Sequence, residues 1–204
     1  AGRNAEATTR LGELLLAFPD YGERRNSEEL LGDTYLALGD AARAAELFKN
    51  LAESDRLGDL DGSLRRRLAQ ALQEQAKSSE ALLIYDRLLA EGAGAEDSLQ
   101  LARGRVLAGL GRNGEAIAAF EEIRGTTLLP AARRGSADLH FAASQFKEAA
   151  ATYGKLSADE TDGEGMGHHV ISLYESRQVK SAEKLAGQHQ KRFGKQGIWP
   201  LLFL

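Results

Sequence analysis

Side chains able to act as nucleophiles or metal ligands are few in this sequence. The chain has no cysteine and four histidines, so a thiolate nucleophile and a cysteine-ligated zinc are excluded. His168 and His169 are adjacent, which turns their side chains about 100° apart on a helix and prevents them from sharing a metal as an i, i+4 pair does. No histidine stands with carboxylates at zinc-ligand spacing, and no nucleophile–base pair is evident. We therefore predict a protein that is not an enzyme and needs no cofactor or metal.

Three glycine-containing motifs have part of the spacing of ligand-binding loops. GLGRNG at 109–114 matches a dinucleotide-binding loop, but it lies between two predicted helices rather than after a strand. DLDG at 59–62 lacks the acidic residues of a calcium loop, because Leu57 and Leu68 occupy their positions. GEGMG at 163–167 contains no lysine or arginine that would hold a phosphate. We interpret the first motif as a turn, the second as a linker and the third as a flexible link before a helix.

The elements that hold these residues are predicted to be helices. The 204 residues include 33 alanines and 32 leucines but only 3 valines and 5 isoleucines. Helices favour alanine and leucine, whereas strands favour β-branched residues, so the composition predicts an all-α fold. The formal net charge of −4 argues against a nucleic-acid partner, and no apolar run approaches the ~20 residues of a membrane span. No signal peptide is visible, and we expect the chain to be an excised fragment of a longer protein.

A two-residue signature recurs along the chain at intervals of 33 to 37 residues. It is an alanine followed four residues later by a large apolar residue, as in Ala7/Leu11, Ala44/Phe48, Ala81/Tyr85, Ala116/Phe120 and Ala149/Tyr153, with Ala182/Ala186 as a weaker sixth pair. Twelve residues before each of the last five pairs lie Gly32, Ala69, Gly104, Ala137 and Val170. Apolar residues in between recur at helical spacing, so each interval predicts two amphipathic helices packed as a hairpin. Small residues would let the two helix axes approach closely.

This pattern resembles the tetratricopeptide repeat, whose signature residues recur about every 34 residues. The segments EELLGDTYLALGDAARAAELFKNL at 28–51 and QLARGRVLAGLGRNGEAIAAFEEI at 100–123 carry the resemblance most fully. The resemblance implies a single array over 1–204, in the form of a right-handed superhelix of helical hairpins. Its implied parts are a half repeat, five full repeats and the start of a truncated helix: 1–24; 25–61, 62–96, 97–129, 130–162 and 163–196; and 197–204.

The resemblance also implies a binding surface, because the first helices of successive repeats line a concave face in this family. The residues that it places there are Arg66, Gln70, Gln73, Arg105, Arg134, Asp138, Phe141 and Tyr174. Guanidinium groups suit carboxylates and aromatic rings supply anchoring area, so we expect a protein or peptide ligand with acidic and apolar residues. The alternative is that these arginines pair with acids of the next repeat.

A narrower resemblance lies near the N-terminus. LGELLLAFPDYGERRNSEELLGDTYLALGD at 11–40 resembles bacterial envelope tetratricopeptide proteins, such as outer-membrane assembly lipoproteins and the Tol-Pal coordination protein. It implies a non-catalytic binding scaffold in the periplasm. The alternative is a regulatory or adaptor array of a larger multidomain protein. The basic stretch at 177–195 and the apolar residues at 198–204 leave open a second contact surface or self-association.

Overall fold

The computed structural model describes residues 2–54, 62–92 and 94–194, and the regular structure in these ranges is helical. Eleven α-helices are found there: α1 Gly2–Ala17, α2 Arg24–Ala37, α3 Ala41–Ser54, α4 Gly62–Glu74, α5 Ser78–Ala90, α6 Glu96–Gly109, α7 Asn113–Glu121, α8 Leu129–Ala142, α9 Phe146–Tyr153, α10 Gly163–Glu175 and α11 Val179–Phe193. A 3-10 turn at Ala158–Glu160 precedes α10. The predicted all-α fold is confirmed. None of the described helices is both long and apolar enough to cross a membrane.

Each turn between paired helices contains one residue in the left-handed backbone region. These residues are Gly39 (φ 78°), Ala76 (φ 60°), Gly111 (φ 74°), Ser144 (φ 58°) and Arg177 (φ 65°). The following N–H then reaches a carbonyl at the end of the preceding helix, as Asp40 does to Tyr35 at 2.8 Å. The turn predicted for GLGRNG at 109–114 is present, and Gly39 and Gly111 adopt the left-handed conformation without strain because they lack a Cβ atom. The other three turns adopt it with side chains that disfavour it.

The chain divides into two compact units, Ala1–Leu99 and Gln100–Leu204, and α6 crosses the boundary between them. In the first unit, α1 to α5 pack in chain order, each on the next. Phe48 and Leu64 are fully buried in its core. Gly32 of α2 lies directly against the Phe48 ring of α3, where a Cβ atom would overlap the ring. The close approach predicted for this small residue and its large neighbour is therefore present.

In the second unit, α7 to α11 also pack in chain order. The ring of Phe120 lies between two glycines, Gly104 of α6 and Gly135 of α8, and a Cβ atom on Gly135 would come within 2.7 Å of it. Tyr153 and Val170 are buried further along this unit. The core therefore runs from one helix to the next, as expected when each helix buries its apolar stripe on its neighbours. The predicted repeat boundaries stay predictions.

Candidate functional site

Three of the predicted binding residues share one face of α4. Arg66, Gln70 and Gln73 fall within about 60° of one another around the helix axis, given 100° per residue. Arg66 and Gln73 are half-buried, whereas Gln70 is exposed and donates from Nε2 to Glu74 Oε1 at 3.2 Å. The helix takes this orientation because its opposite side, including Leu64, is buried in the core. The first unit thus presents one guanidinium and two amides together.

Arg66 stands in sequence between two arginines that have acidic partners. Arg65 Nη1 lies 2.5 Å from Glu91 Oε2, and Arg67 Nη1 donates to Glu29 Oε2 at 2.9 Å. Arg66 itself has no ion-pair partner among the described residues. Its guanidinium therefore keeps N–H donors that a ligand carboxylate can accept from.

Arg105, a predicted binding residue of the second unit, resembles Arg66 in this respect: it forms no salt bridge with any of the described residues. It is exposed in the second half of α6, and the residue four positions later is Gly109 rather than an acid. The alternative interpretation, in which the arginines pair with acids of the next repeat, therefore fails for Arg66 and Arg105 within the described part of the chain.

Arg134 of α8 has the opposite environment. Its Nε lies 2.8 Å and 3.0 Å from the two carboxylate oxygens of Asp138, and its Nη1 lies 2.7 Å from Asp162 Oδ1. Glu164 is a third acid at 3.8 Å, and only 21% of the arginine side chain is exposed. Burial acts to lower the pKa of Arg134, but its hydrogen bonds to Asp162 and Asp138 outweigh burial and raise the pKa above its usual value. This arginine is used within the fold.

Asp138 is likewise engaged by its own chain. Besides Arg134, it accepts a hydrogen bond from the Tyr153 hydroxyl, and His168 Nδ1 lies 3.5 Å from the same carboxylate. Burial raises the pKa of Tyr153, and the hydrogen bond to Asp138 raises it further. Tyr153 therefore stays a neutral donor that holds the carboxylate in place. Asp138 joins α8, α9 and α10 of the second unit.

The two predicted aromatic anchors are half-buried. Phe141 stacks on His168 with ring centroids 4.1 Å apart and meets the edge of Phe146 at 5.9 Å. Tyr174 packs against the buried cluster that includes Val170. Both rings therefore contribute to packing in the second unit and leave only part of their surface for a ligand.

The segment GEGMG at 163–167 corrects one expectation. It was predicted as a flexible link, but it forms the first turns of α10, with Gly165, Met166 and Gly167 buried. Asp162 caps this helix by accepting from the Gly165 N–H at 2.8 Å, and that hydrogen bond, followed by the one from Arg134, lowers the Asp162 pKa. A Cβ on Gly165 would collide with the Arg134 guanidinium, so the glycine is needed for close approach and not for flexibility.

Arg67 and His168 are among the residues of these networks that were missed from the sequence. Arg67 pairs with Glu29, 38 residues earlier. The repeat interval of about that length is a signal that could have suggested an acid and a base on neighbouring first helices. His168 was considered only as a metal ligand, and nothing short-range in the sequence predicts that it stacks on Phe141.

Among the residues that the structure describes, no group of three or more histidine, aspartate or glutamate side chains is arranged so that it could hold a metal ion. The GLGRNG motif lies across the α6–α7 turn, with Gly109 ending α6 and Gly111 at positive φ. The first three residues of DLDG and the apolar residues at 198–204 lie outside the described residues.

The chain is similar to several solved structures, although no protein-family model and no curated protein matches its sequence. PilW, a widely conserved type IV pilus biogenesis factor, is 16% identical with a TM-score of 0.74, over 98% of this chain and 90% of that one. Pseudomonas aeruginosa pilF is 16% identical with a TM-score of 0.69, over 95% and 86%. The TPR-like repeats of a Podosopora anserina putative kinesin light chain are 19% identical with a TM-score of 0.65, over 87% and 98%.

These neighbours share helical-hairpin architecture with this chain, and their low identity limits the likeness to architecture. Three features described above agree with this architecture: paired helices alternate along the chain, small residues pack against buried rings, and the turns within the pairs contain a left-handed residue. The chain therefore has the tetratricopeptide-repeat fold.

Proposed function

We propose that this chain is a non-catalytic scaffold that binds a protein or peptide through the polar face of α4. The observation that carries the proposal is Arg66, a half-buried arginine without an acidic partner in the described ranges, between two arginines that have one. Gln70 and Gln73 beside it can donate to and accept from a ligand backbone. The ligand class is a segment with carboxylates.

Arg105 is proposed as a separate contact of the second unit for the same class of ligand. It is exposed and lies outside any ion pair of the described residues, so it also suits an acidic side chain. Phe141 and Tyr174 are proposed as weaker apolar contacts through the parts of their rings that packing leaves uncovered. Arg134 and Asp138 are left out of the proposed contact, because their polar atoms are engaged within the second unit.

We further propose that the scaffold belongs to a bacterial envelope assembly. Two observations support this location: the resemblance of residues 11–40 to envelope proteins and the likeness to PilW and pilF, of which the first is named as a pilus biogenesis factor. Fractionation of cells that express the natural full-length protein would test it. Recovery in the cytoplasm would favour the adaptor alternative.

The binding proposal is tested by affinity capture from native extract, quantified by mass spectrometry. The test variant is Arg66→Glu/Arg105→Glu, and the matched control is Arg10→Glu/Lys147→Glu, which reverses the same number of exposed charges elsewhere. Circular dichroism first establishes that all proteins are equally helical. We expect wild type and control to retain the same partner, and the test variant to lose it by at least tenfold.

Retention of the partner by Arg66→Glu/Arg105→Glu at the wild-type level would overturn the proposal. A partner lost equally from test and control variants would show a general charge effect and would also count against it. The captured partner's binding segment, once mapped, should contain aspartate or glutamate. A segment without acids would contradict the proposed ligand class.

A further inference from the structure

An apolar groove of about 530 Å³ opens in the first unit between α3 and α5. Its floor comes from α4, and each of the three helices contributes one face to it. The residues that line it are Ala42, Ala45, Glu46 and Lys49 of α3, Leu68 and Leu72 of α4, Gln75 and Lys77 of the turn that follows, and Glu80, Leu83 and Ile84 of the first half of α5. Leu83 is 70% exposed on the wall, which is a high value for a leucine.

The groove lies on the opposite side of α4 from the proposed peptide-binding face. Leu68 and Leu72 follow Arg66 and Gln70 by two positions, and two residues correspond to about 200° around a helix. A ligand in the groove and a ligand on Arg66 would therefore contact different surfaces. The inference below goes beyond the proposed function and does not depend on it.

The groove is open because α3 presents alanines to it. Ala42 and Ala45 leave room that a leucine at either position would fill, whereas the next apolar layer, including Ala44 and Phe48, is fully buried. At the end of the groove where α3 and α5 begin, Gln75 Nε2 donates to the Ala41 carbonyl at 2.9 Å. This hydrogen bond fixes that end of the groove. From Ala42 to Lys49 the wall is about 10 Å long, at 1.5 Å per residue, enough for two turns of a helix.

We propose that this groove is a docking site for an amphipathic helix of a partner protein, with an apolar stripe and basic flanks. The shape favours a helix, since two helix walls and a leucine floor match apolar residues at i, i+3, i+4 and i+7. A packed helix would cover Leu83, the large apolar side chain that the groove leaves exposed.

The charges along the groove set the flanks of the partner. Glu46 on one wall and Glu80 on the other are exposed and have no ion-pair partner among the described residues. Lys49 already lies 3.8 Å from Glu53. Lys77, which also has no ion-pair partner among the described residues, precedes α5 and lines the same end of the groove as Gln75. The uncompensated charge along the walls is therefore negative, which favours lysine or arginine on both flanks of the bound helix.

The test uses three synthetic peptides of 14 residues, each held helical by side-chain lactam bridges. One has leucines at i, i+3, i+4 and i+7 with lysine flanks, the second has glutamate flanks, and the third has the lysine composition with scrambled leucines. Fluorescence anisotropy measures their binding to the full chain. We expect saturable binding of the lysine peptide, at least tenfold tighter than that of the other two.

Two variants locate the binding. Leu83→Glu places a charge in the groove and should weaken binding of the lysine peptide at least tenfold, whereas Leu16→Glu, at another exposed leucine, should leave it unchanged. Glu46→Lys/Glu80→Lys should reverse the preference toward the glutamate peptide, whereas Glu13→Lys/Glu148→Lys should not. Because Leu83, Glu46 and Glu80 are exposed, these changes do not disturb the core.

The proposal is overturned if the lysine peptide does not bind saturably, if Leu83→Glu binds it as well as wild type does, or if the glutamate peptide is preferred by the unmodified chain. Sedimentation of the chain alone tests whether a second copy of this chain occupies the groove instead. A dimer that Leu83→Glu converts to monomer would assign the groove to a second copy of this chain and would also overturn it.

Discussion

Arg66 of α4 and Arg134 of α8 were predicted to do the same work, but they have different surroundings. Arg134 is held by Asp138 and Asp162, with only 21% of its side chain exposed. Arg66 has no acidic partner in the described ranges, although both of its sequence neighbours have one. The same residue type at the same repeat position therefore serves packing in one unit and stays available to a ligand in the other.

Part of the difference arises from the residue one helical turn away. Four residues after Arg134 is an aspartate, Asp138, and four residues after Arg66 is an amide, Gln70. An acid at i+4 pairs with an arginine on the same helix face, whereas an amide leaves its charge uncompensated. Repeat position alone therefore cannot identify a ligand contact, because an acid on the same helix, such as Asp138 for Arg134, or on another helix, such as Glu91 for Arg65, already satisfies some of these charges.

The largest expected change in stability is a loss at low pH that begins in the second unit. All four histidines lie in the second unit, and burial lowers the pKa of His169 to about 4 from an ordinary value of 6.5. Between these values the unfolded chain binds a proton that His169 in the folded chain does not bind. The contribution of His169 to the free energy of unfolding is therefore fully present above about pH 6.5 and is lost as the pH falls toward 4. At about 1.4 kcal/mol per pKa unit, the loss approaches 3 kcal/mol.

Urea unfolding at intervals from pH 7 to pH 4 measures this loss. His169→Phe keeps a ring against Tyr153 but cannot titrate, so its unfolding free energy should fall by about 3 kcal/mol less than that of wild type over the range. Hydrogen exchange should show the acid-induced opening in α9 and α10 before the first unit. Parallel pH profiles for wild type and His169→Phe would refute the assignment.

The next prediction tests the two arginines directly. Arg134→Met removes the cation shared by Asp138 and Asp162 and should lower the free energy of unfolding by about 2 kcal/mol, less than for a fully buried pair because both acids are partly exposed. Arg66→Met breaks no described ion pair and should change it by under about 0.5 kcal/mol. Urea midpoints measured at one pH compare them. Equal losses would remove the distinction between a structural and an available arginine.

How far the sequence predicts these features depends on the range of the contact. The helices, their pairing and the Gly39 and Gly111 turns follow from local patterns, and the Arg134–Asp138 pair was equally local, at i, i+4. The contact of Arg134 with Asp162 spans 28 residues and depends on how α10 packs on α8. The same packing turned a predicted flexible glycine cluster into a buried helix start. Such contacts need the relative placement of helices, which residue spacing does not supply.

A smaller change in stability is expected at Gly165, whose missing side chain leaves room for the Arg134 guanidinium. Gly165→Ala adds a Cβ where the guanidinium lies, and because Arg134 is held by two acids, it cannot move aside freely. We expect a loss of about 1 kcal/mol despite the better helix propensity of alanine. The matched control is Gly187→Ala in α11, which has open space and should gain up to about 1 kcal/mol. Thermal melting measures both, and a gain at both positions would show that Arg134 is not tightly held.

The smallest change in stability is expected at the turns between paired helices, which have the same backbone conformation in both units. Ala76 in the first unit and Ser144 in the second take left-handed backbone conformations at equivalent turns, with φ of 60° and 58°. Glycine at either position relieves that strain but gains entropy in the unfolded chain, so each of Ala76→Gly and Ser144→Gly should stabilise by only about 0.5 kcal/mol. Gly39→Ala is the reverse change and should destabilise by about 1 kcal/mol. If Ala76→Gly and Ser144→Gly raise the urea midpoint by different amounts, the two units differ in their turns as well as in their arginines. If the gains are equal, the units differ in the surroundings of Arg66 and Arg134 and not in these turns.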